Sequence, residues 1–183
     1  MELAYMDLHG FADASGSAHG AVVYLRLHEN GKVEVRFLAA KSRVAPIKKL
    51  SLPRLELMAA LLCARLVAYV KREADLPIRS CFCWSDSLVP LCWIRSNAQR
   101  WKPFVSNQMR DIQEIISSDS WRYCPTQDNP ADLASRGWPE AMWYSSSNQT
   151  FPVAGHCLEE SWSCFVHAMV WPDQPSSKRL AAW

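Results

Sequence analysis

Residues 4–40 restrict the fold more than any other stretch of the chain. Ala4 to Ala12 and Ala21 to Leu27 read as strands, and Glu29-Asn30-Gly31-Lys32 precedes a third strand-like run, Val33 to Ala40. Asn-Gly is the pair that best tolerates positive φ at both central positions of a two-residue turn, and the twist of that turn matches paired strands. Gly16 and Gly20 supply turn chemistry between the first two runs. An antiparallel meander results. Its apolar face has to be covered by further elements, because a few strands alone are marginal in water.

The following residues supply that cover. Ser51 is placed to cap a helix with Pro53 in its first turn, and Leu55, Met58, Leu62 and Leu66 keep one apolar face as far as about Glu73. Leu76-Pro77 breaks that helix. Ile78 to Trp84 reads as a buried strand. Helices over Ser87 to Ser96 and Pro103 to Ile116, a short strand at Trp121 to Cys124 and a helix start in Asn129-Pro130-Ala131-Asp132-Leu133-Ala134 complete the order. Strands first in a meander and later in βα units predict an α/β fold, a mixed five-stranded sheet with helices on its faces. One domain over 1–140 is expected. Residues 141–183 read as a tail or linker, in which the polar run 145–150 and the breakers Pro172, Pro175, Ser176 and Ser177 leave only Leu158 to Val170 as a short helix.

No stretch approaches the roughly 20 apolar residues that span a bilayer. Met1-Glu2-Leu3-Ala4-Tyr5 lacks the basic start and apolar run of a signal peptide. The expectation is an intracellular protein, cytoplasmic or nuclear, not secreted and with no membrane partner. Cys63, Cys81, Cys83, Cys92, Cys124, Cys157 and Cys164 are odd in number and form no C-x-x-C pair, which suits buried apolar positions better than a disulfide framework. His156, Cys157, Cys164 and His167 crowd into one segment, but their spacing is not that of a common zinc site, and incidental placement is expected.

A net charge of +2 does not by itself mark a nucleic-acid binder. Its distribution is more telling: Arg36, Lys41, Arg43, Lys48, Lys49 and Arg54 follow one another with no acid between them. Such a stretch either tracks phosphates or forms a solvated face. Trp84 and Trp93 are expected in the core, and Trp101, between Arg100 and Lys102, either packs or flanks nucleic acid.

Four carboxylates then stand out: Asp13 in Phe11-Ala12-Asp13-Ala14-Ser15, Glu56 in Leu55-Glu56-Leu57, Asp86 in Trp84-Ser85-Asp86-Ser87, and Asp132 in Asn129-Pro130-Ala131-Asp132. A carboxylate among apolar neighbours is costly to desolvate without a partner, so four of them suggest a shared cation. Hard oxygen donors with no interposed Cys or His suit Mg²⁺ or Mn²⁺. Two such ions about 4 Å apart can activate water and stabilise a leaving oxygen in phosphodiester cleavage. All four acids fall at predicted strand ends or helix starts, where reactive groups gather in sheets of this kind.

The order of these motifs resembles the ribonuclease H domain of BEL/Pao-type LTR retrotransposon polyproteins. The resemblance runs over about residues 8–138. It is carried by His9-Gly10-Phe11-Ala12-Asp13-Ala14-Ser15, by Lys41-Ser42-Arg43-Val44-Ala45-Pro46 leading to Pro53-Arg54-Leu55-Glu56-Leu57, by Trp84-Ser85-Asp86-Ser87, and by Asn129 to Gly137. It implies an RNase H-like fold, a catalytic and metal-binding quartet of Asp13, Glu56, Asp86 and Asp132, two Mg²⁺ (or Mn²⁺) ions, and cleavage of the RNA strand of an RNA:DNA hybrid during retrotransposon reverse transcription. In that scheme Asp13 bridges both ions, Glu56 and Asp86 share one, and Asp132 completes the other. Ser15 and Ser87 are candidates to contact the 2′-OH, and Lys41, Arg43, Lys48 and Lys49 to hold the hybrid by its phosphates. A reverse transcriptase domain of the same polyprotein is the expected partner, without which a free domain is expected to hold the hybrid weakly. One departure is plain: many ribonucleases H carry a His shortly before the last Asp, and this chain has none between His28 and His156. Product release or proton transfer is expected to differ accordingly.

Two alternatives stay open. An inactive nucleic-acid-binding remnant of a retroelement polyprotein would keep the fold and bind hybrid without cutting it. A retroelement aspartic peptidase would present its paired acids in Asp-Thr/Ser-Gly turns, a pattern that Asp13-Ala14-Ser15-Gly16 lacks.

Overall fold

Asn30 and Gly31 turn the chain as their chemistry dictates. In the computed structural model, which describes residues 5–136, they take φ values of 50° and 72°. They join β2 (Ala18–Glu29) to β3 (Lys32–Val44), with Glu29 paired to Lys32. β1 (Tyr5–Ala14) runs antiparallel to β2 and parallel to β4 (Ile78–Ser85), and β4 is parallel to β5 (Trp121–Tyr123). The five-stranded sheet has the order β3-β2-β1-β4-β5. This is the mixed sheet expected from a meander followed by βα units; β1 to β4 are longer than the sequence pattern indicated, and β5 is one residue shorter.

Alternation along β1 divides the core in two. Leu8 and Ala12, with Ala21, Val23 and Leu25 of β2, pack beneath α1 (Leu52–Glu73), α2 (Leu88–Ile94) and α3 (Pro103–Ile115). Phe11, Val22, Tyr24 and Val35 face the other way, against Ala131 and Ala134 of the α4 (Asp132–Arg136) region. Two glycines set how closely the layers approach. A Cβ on Gly10 would lie 2.5 Å from Val67 and 2.7 Å from Cys63 of α1. One on Gly20 would lie 2.6 Å from Ala134 of α4. Gly20 therefore belongs to β2, opposite Asp13, and not to the turn as the sequence reading had it. The turn is Ser15-Gly16-Ser17, closed by Ser15 N–H donating to Ala18 C=O at 2.8 Å.

Helix α1 is buried well beyond the single face that Leu55, Met58, Leu62 and Leu66 suggested. Of those four Met58 is only half-buried, whereas Leu57, Ala59, Ala60, Ala64 and Val67 are buried, because α3 packs on the side the sheet leaves free. Ser51 holds the N-cap position with extended backbone but makes no side-chain cap; Asp75, at φ 47°, turns the chain after the helix. Cys63, Cys83 and Cys124 are buried, Cys81 is half-buried and Cys92 exposed, all as free thiols. Trp93 packs on the core, and Trp101 lies edge-on against it with its indole N–H donating to Ser96 at 2.8 Å. No described helix is long and apolar enough to cross a membrane.

One irregularity re-aims the edge of the sheet. Val23 pairs with Ala39 and Tyr24 with Phe37, so Leu38 is an extra residue in β3. A bulge of one residue moves everything after it to the opposite face. Lys41 and Arg43, read from sequence as part of a basic loop, are strand residues paired with Ala21 and His19. The division of the chain at 140, the helix over 158–170 and the His156, Cys157, Cys164 and His167 cluster lie outside the described residues.

Candidate active site

The site is assembled at one end of the sheet. The parallel pairing of β1 with β4 ends at Ala12 and Ser85, and the next residues along the two strands are Asp13 and Asp86. Carboxyl ends of adjacent parallel strands are where α/β sheets bind ligands, since no side chain from a further turn of strand covers them. Asp13 is 8% exposed. Burial, followed by the negative charges of Asp86 and Asp132, raises its pKa from 3.8 to about 6, although the Ser135 hydroxyl and the Ala14 N–H both favour the ionised form.

Glu56 arrives from the second turn of α1. Its carboxylate accepts a 2.6 Å hydrogen bond from the Ser87 hydroxyl. Burial and the charge of Asp86 raise its pKa, and Ser87 opposes them. Ser87 sits at the N-cap of α2 and makes no side-chain cap there, because its hydroxyl is spent on Glu56.

Asp132 comes from the opposite face, at the start of α4. The buried Asn129 places it: its side-chain amide donates to the Ala12 carbonyl at 3.0 Å and accepts from the Ala131 N–H at 3.1 Å. The start of α4 is thus tied to the end of β1. One turn later the Ser135 hydroxyl donates to the Asp13 carboxylate, and Arg136 Nε lies 2.6 Å from Asp132 Oδ1. None of Asn129, Ser135 and Arg136 had been assigned a role from sequence. All three lie in the motif that contains Asp132, and their polarity within an apolar run was the available signal.

The four acids therefore share one end of the fold, and their fields overlap. Among the described residues no three His, Cys, Asp or Glu side chains converge closely enough to hold a metal ion. The oxygen donor set fits Mg²⁺ or Mn²⁺ in kind. Three of the four carboxylates are engaged by neighbours: Asp13 by Ser135, Asp132 by Arg136 and Glu56 by Ser87. A cleft lined by Lys71, Arg79, Cys81 and Ser117 lies at the start of β4, the opposite end from this site.

The remaining candidates divide by location. Register places Ser42 beside Gly20 and Gly20 beside Asp13, so Lys41 and Arg43 flank a position two strands from Asp13, about 10 Å away at ordinary strand spacing. Lys48 and Lys49 are exposed in the loop before α1, with Ile47 fully exposed beside them. The Ser15 hydroxyl donates to the Ser135 carbonyl at 2.7 Å and accepts from the Ser17 and Ala18 N–H groups, so its contacts lie within the protein.

Residues 2–87 match the family described as Pao retrotransposon-like RNaseH-like domain. Over those residues the chain is similar to a Pao-type RNase H-like domain. The match includes Asp13, Glu56 and Asp86, and Asp132 lies beyond it. The RNase H-like domain is also similar to RNase H1 from the archaeon Halobacterium salinarum NRC-1, with 16% identity over 71% of this chain and 95% of that one and a TM-score of 0.45. The N-terminal RNase H domain of a Mycobacterium tuberculosis protein is 16% identical over 79% of this chain and 100% of that one, with a TM-score of 0.46. LC11-RNase H1, solved in complex with an RNA/DNA hybrid, is 12% identical over 72% of this chain and 94% of that one, with a TM-score of 0.47. No curated protein matches the sequence.

Proposed function

We propose that the RNase H-like domain hydrolyses the RNA strand of RNA:DNA hybrids, using Asp13, Glu56, Asp86 and Asp132 to hold two Mg²⁺ or Mn²⁺ ions, and that it does so within retrotransposon reverse transcription alongside a reverse transcriptase domain of the same polyprotein. The observation that carries the reading is the placement of Asp13 and Asp86 at the adjacent ends of β1 and β4, with Glu56 and Asp132 delivered from helices on opposite faces. The match of residues 2–87 to an RNaseH-like family model supports the reaction class. When bound, divalent ions would lower the pKa of the attacking water and stabilise the departing 3′ oxygen.

The protein's part is placement and charge. Asp13 lies in the fields of both Asp86 and Asp132 and would hold the ions together with them. The Ser87 hydroxyl donates to the Glu56 carboxylate. Lys41 and Arg43, turned by the bulge in β3, and Lys48 and Lys49 in the following loop would hold the hybrid by its phosphates. Overall, water adds to the phosphorus as the bond to the 3′ oxygen breaks.

An end-labelled hybrid incubated with purified protein in Mg²⁺, Mn²⁺ or EDTA, with duplex RNA and duplex DNA as controls, tests the proposal. Metal-dependent loss of the hybrid's RNA strand alone is expected, and Asp86→Asn should abolish it while leaving folding and hybrid binding intact. Hybrid binding by folded protein with no cleavage would instead favour the inactive binding remnant, a reading consistent with two carboxylates being engaged by Ser135 and Arg136.

A further inference from the structure

We propose that Arg136 is the protein's own counter-cation for Asp132, holding that carboxylate when metal is absent and competing with the divalent ion that the preceding reading assigns to it. Arg136 would thereby set the metal concentration at which the site loads. The inference rests on that reading, and it comes from the geometry of one short helix.

The backbone of α4 is fixed from both ends. Asn129 anchors its start to the Ala12 carbonyl. At its end, the Ser15 hydroxyl donates to the Ser135 carbonyl and the Ser42 hydroxyl to the Ala134 carbonyl, each at 2.7 Å. Gly20 lets the helix sit directly on β2. Asp132 and Arg136 therefore cannot separate by moving the helix. Arg136 is the more solvent-exposed partner, at 66% against 31% for Asp132. Its approach to Oδ1 is a charge pair and not a hydrogen bond, as that oxygen has no hydrogen-bond partner. Asp132 Oδ1 is itself buried while the guanidinium side is exposed, and a pair that solvent reaches from one side is weak. Asp132 lies within the field of Asp13, and among the described residues no carboxylate trio is preassembled. A divalent ion entering beside Asp132 must displace the guanidinium or coexist with it, and both cost metal affinity.

The alternative is that this is only an i,i+4 pair stabilising a helix turn. The two roles differ in a measurable way. Mn²⁺ and Mg²⁺ titrations of the whole chain, followed by thermal shift and by calorimetry, should give a midpoint about five-fold lower for Arg136→Gln than for wild type, the size expected when an exposed ion pair is removed. Arg136→Lys keeps the charge and should stay near wild type. Arg72→Gln makes the same charge change at the far end of α1, 16 residues from Glu56 and so about 24 Å along the helix, and should leave the midpoint unchanged. If Arg136→Gln fails to fold, Arg136→Met carries the same test. A midpoint that is unchanged or higher in the neutral variant, with metal still binding wild type, overturns the role of Arg136 and leaves the proposed function standing. A wild-type protein whose melting and calorimetry ignore both metals overturns the metal reading and this inference together.

Discussion

Asp13→Asn should make the metal-free protein more stable, and the gain should depend on pH. Burial and two neighbouring carboxylates raise the Asp13 pKa from 3.8 to about 6, and a shift of about 2 units corresponds to about 3 kcal/mol. The sign follows from proton counting. Between pH 3.8 and about 6 the folded protein keeps the proton that the unfolded chain releases, so stability falls as pH rises through this window. The penalty is absent below the window and complete above it. Asparagine cannot ionise, and it can still accept from Ser135. The variant should match wild type near pH 4 and exceed it by about 3 kcal/mol at pH 7.5, which is about 8–10 °C in Tm for a chain of this size. His9 titrates in the same range with the opposite sign. Burial, then the charges of Arg26 and His28, lower its pKa to about 3, while its Nδ1 accepts from the Trp84 indole N–H at 3.1 Å. Its proton uptake on unfolding is common to both proteins and cancels in their difference. The assay is urea denaturation in EDTA from pH 4 to 8. A variant no more stable than wild type at pH 7.5, or a gain independent of pH, would refute the electrostatic account of the site. Adding Mg²⁺ should then narrow the gap, because ligand binding stabilises only the protein that binds it.

Other changes probe the supports of the site. Ser87→Ala removes the donor to Glu56 and should cost about 1 kcal/mol; it should also raise the Glu56 pKa further, moving the acidic limb of the cleavage pH profile upward. Gly10→Ala would force a Cβ to within 2.5 Å of Val67 and should destabilise by about 1–3 kcal/mol in a denaturant melt, the usual cost of overpacking. Gly20→Ala meets the Ala134 backbone, with its carbonyl carbon at 2.9 Å. It should push α4 outward and weaken Mn²⁺ binding in calorimetry more than Gly10→Ala does at equal loss of stability.

The elements were legible where local chemistry dictates structure. Asn30-Gly31 announced its hairpin because few other pairs accept positive φ twice, and Pro53 after Ser51 marked the helix start because a proline there loses no hydrogen bond. The breadth of burial on α1 was not legible. Ala59, Ala60 and Ala64 look neutral in sequence, and only the arrival of α3 shows that small residues were needed there. Gly20 was misread for a similar reason: a glycine required for close approach of another layer looks the same as one required for a turn.

For the site, the residue types sufficed to name four acids and the hard cation they suit, since carboxylates among apolar neighbours need a partner wherever they lie. Sequence also held the order of elements that makes a mixed sheet, because hydrophobic period and turn chemistry are local properties. Tertiary structure decided the rest. It placed Asp13 beside Asp86 through parallel pairing across 73 positions of chain, turned Lys41 and Arg43 through a single extra residue in β3, gave the Ser87 hydroxyl to Glu56 and not to its own helix, and set Ser135 and Arg136 against the acids of their own site. Each of these depends on which distant groups meet. A hydroxyl or guanidinium has many acceptable partners, and only the packed fold selects one.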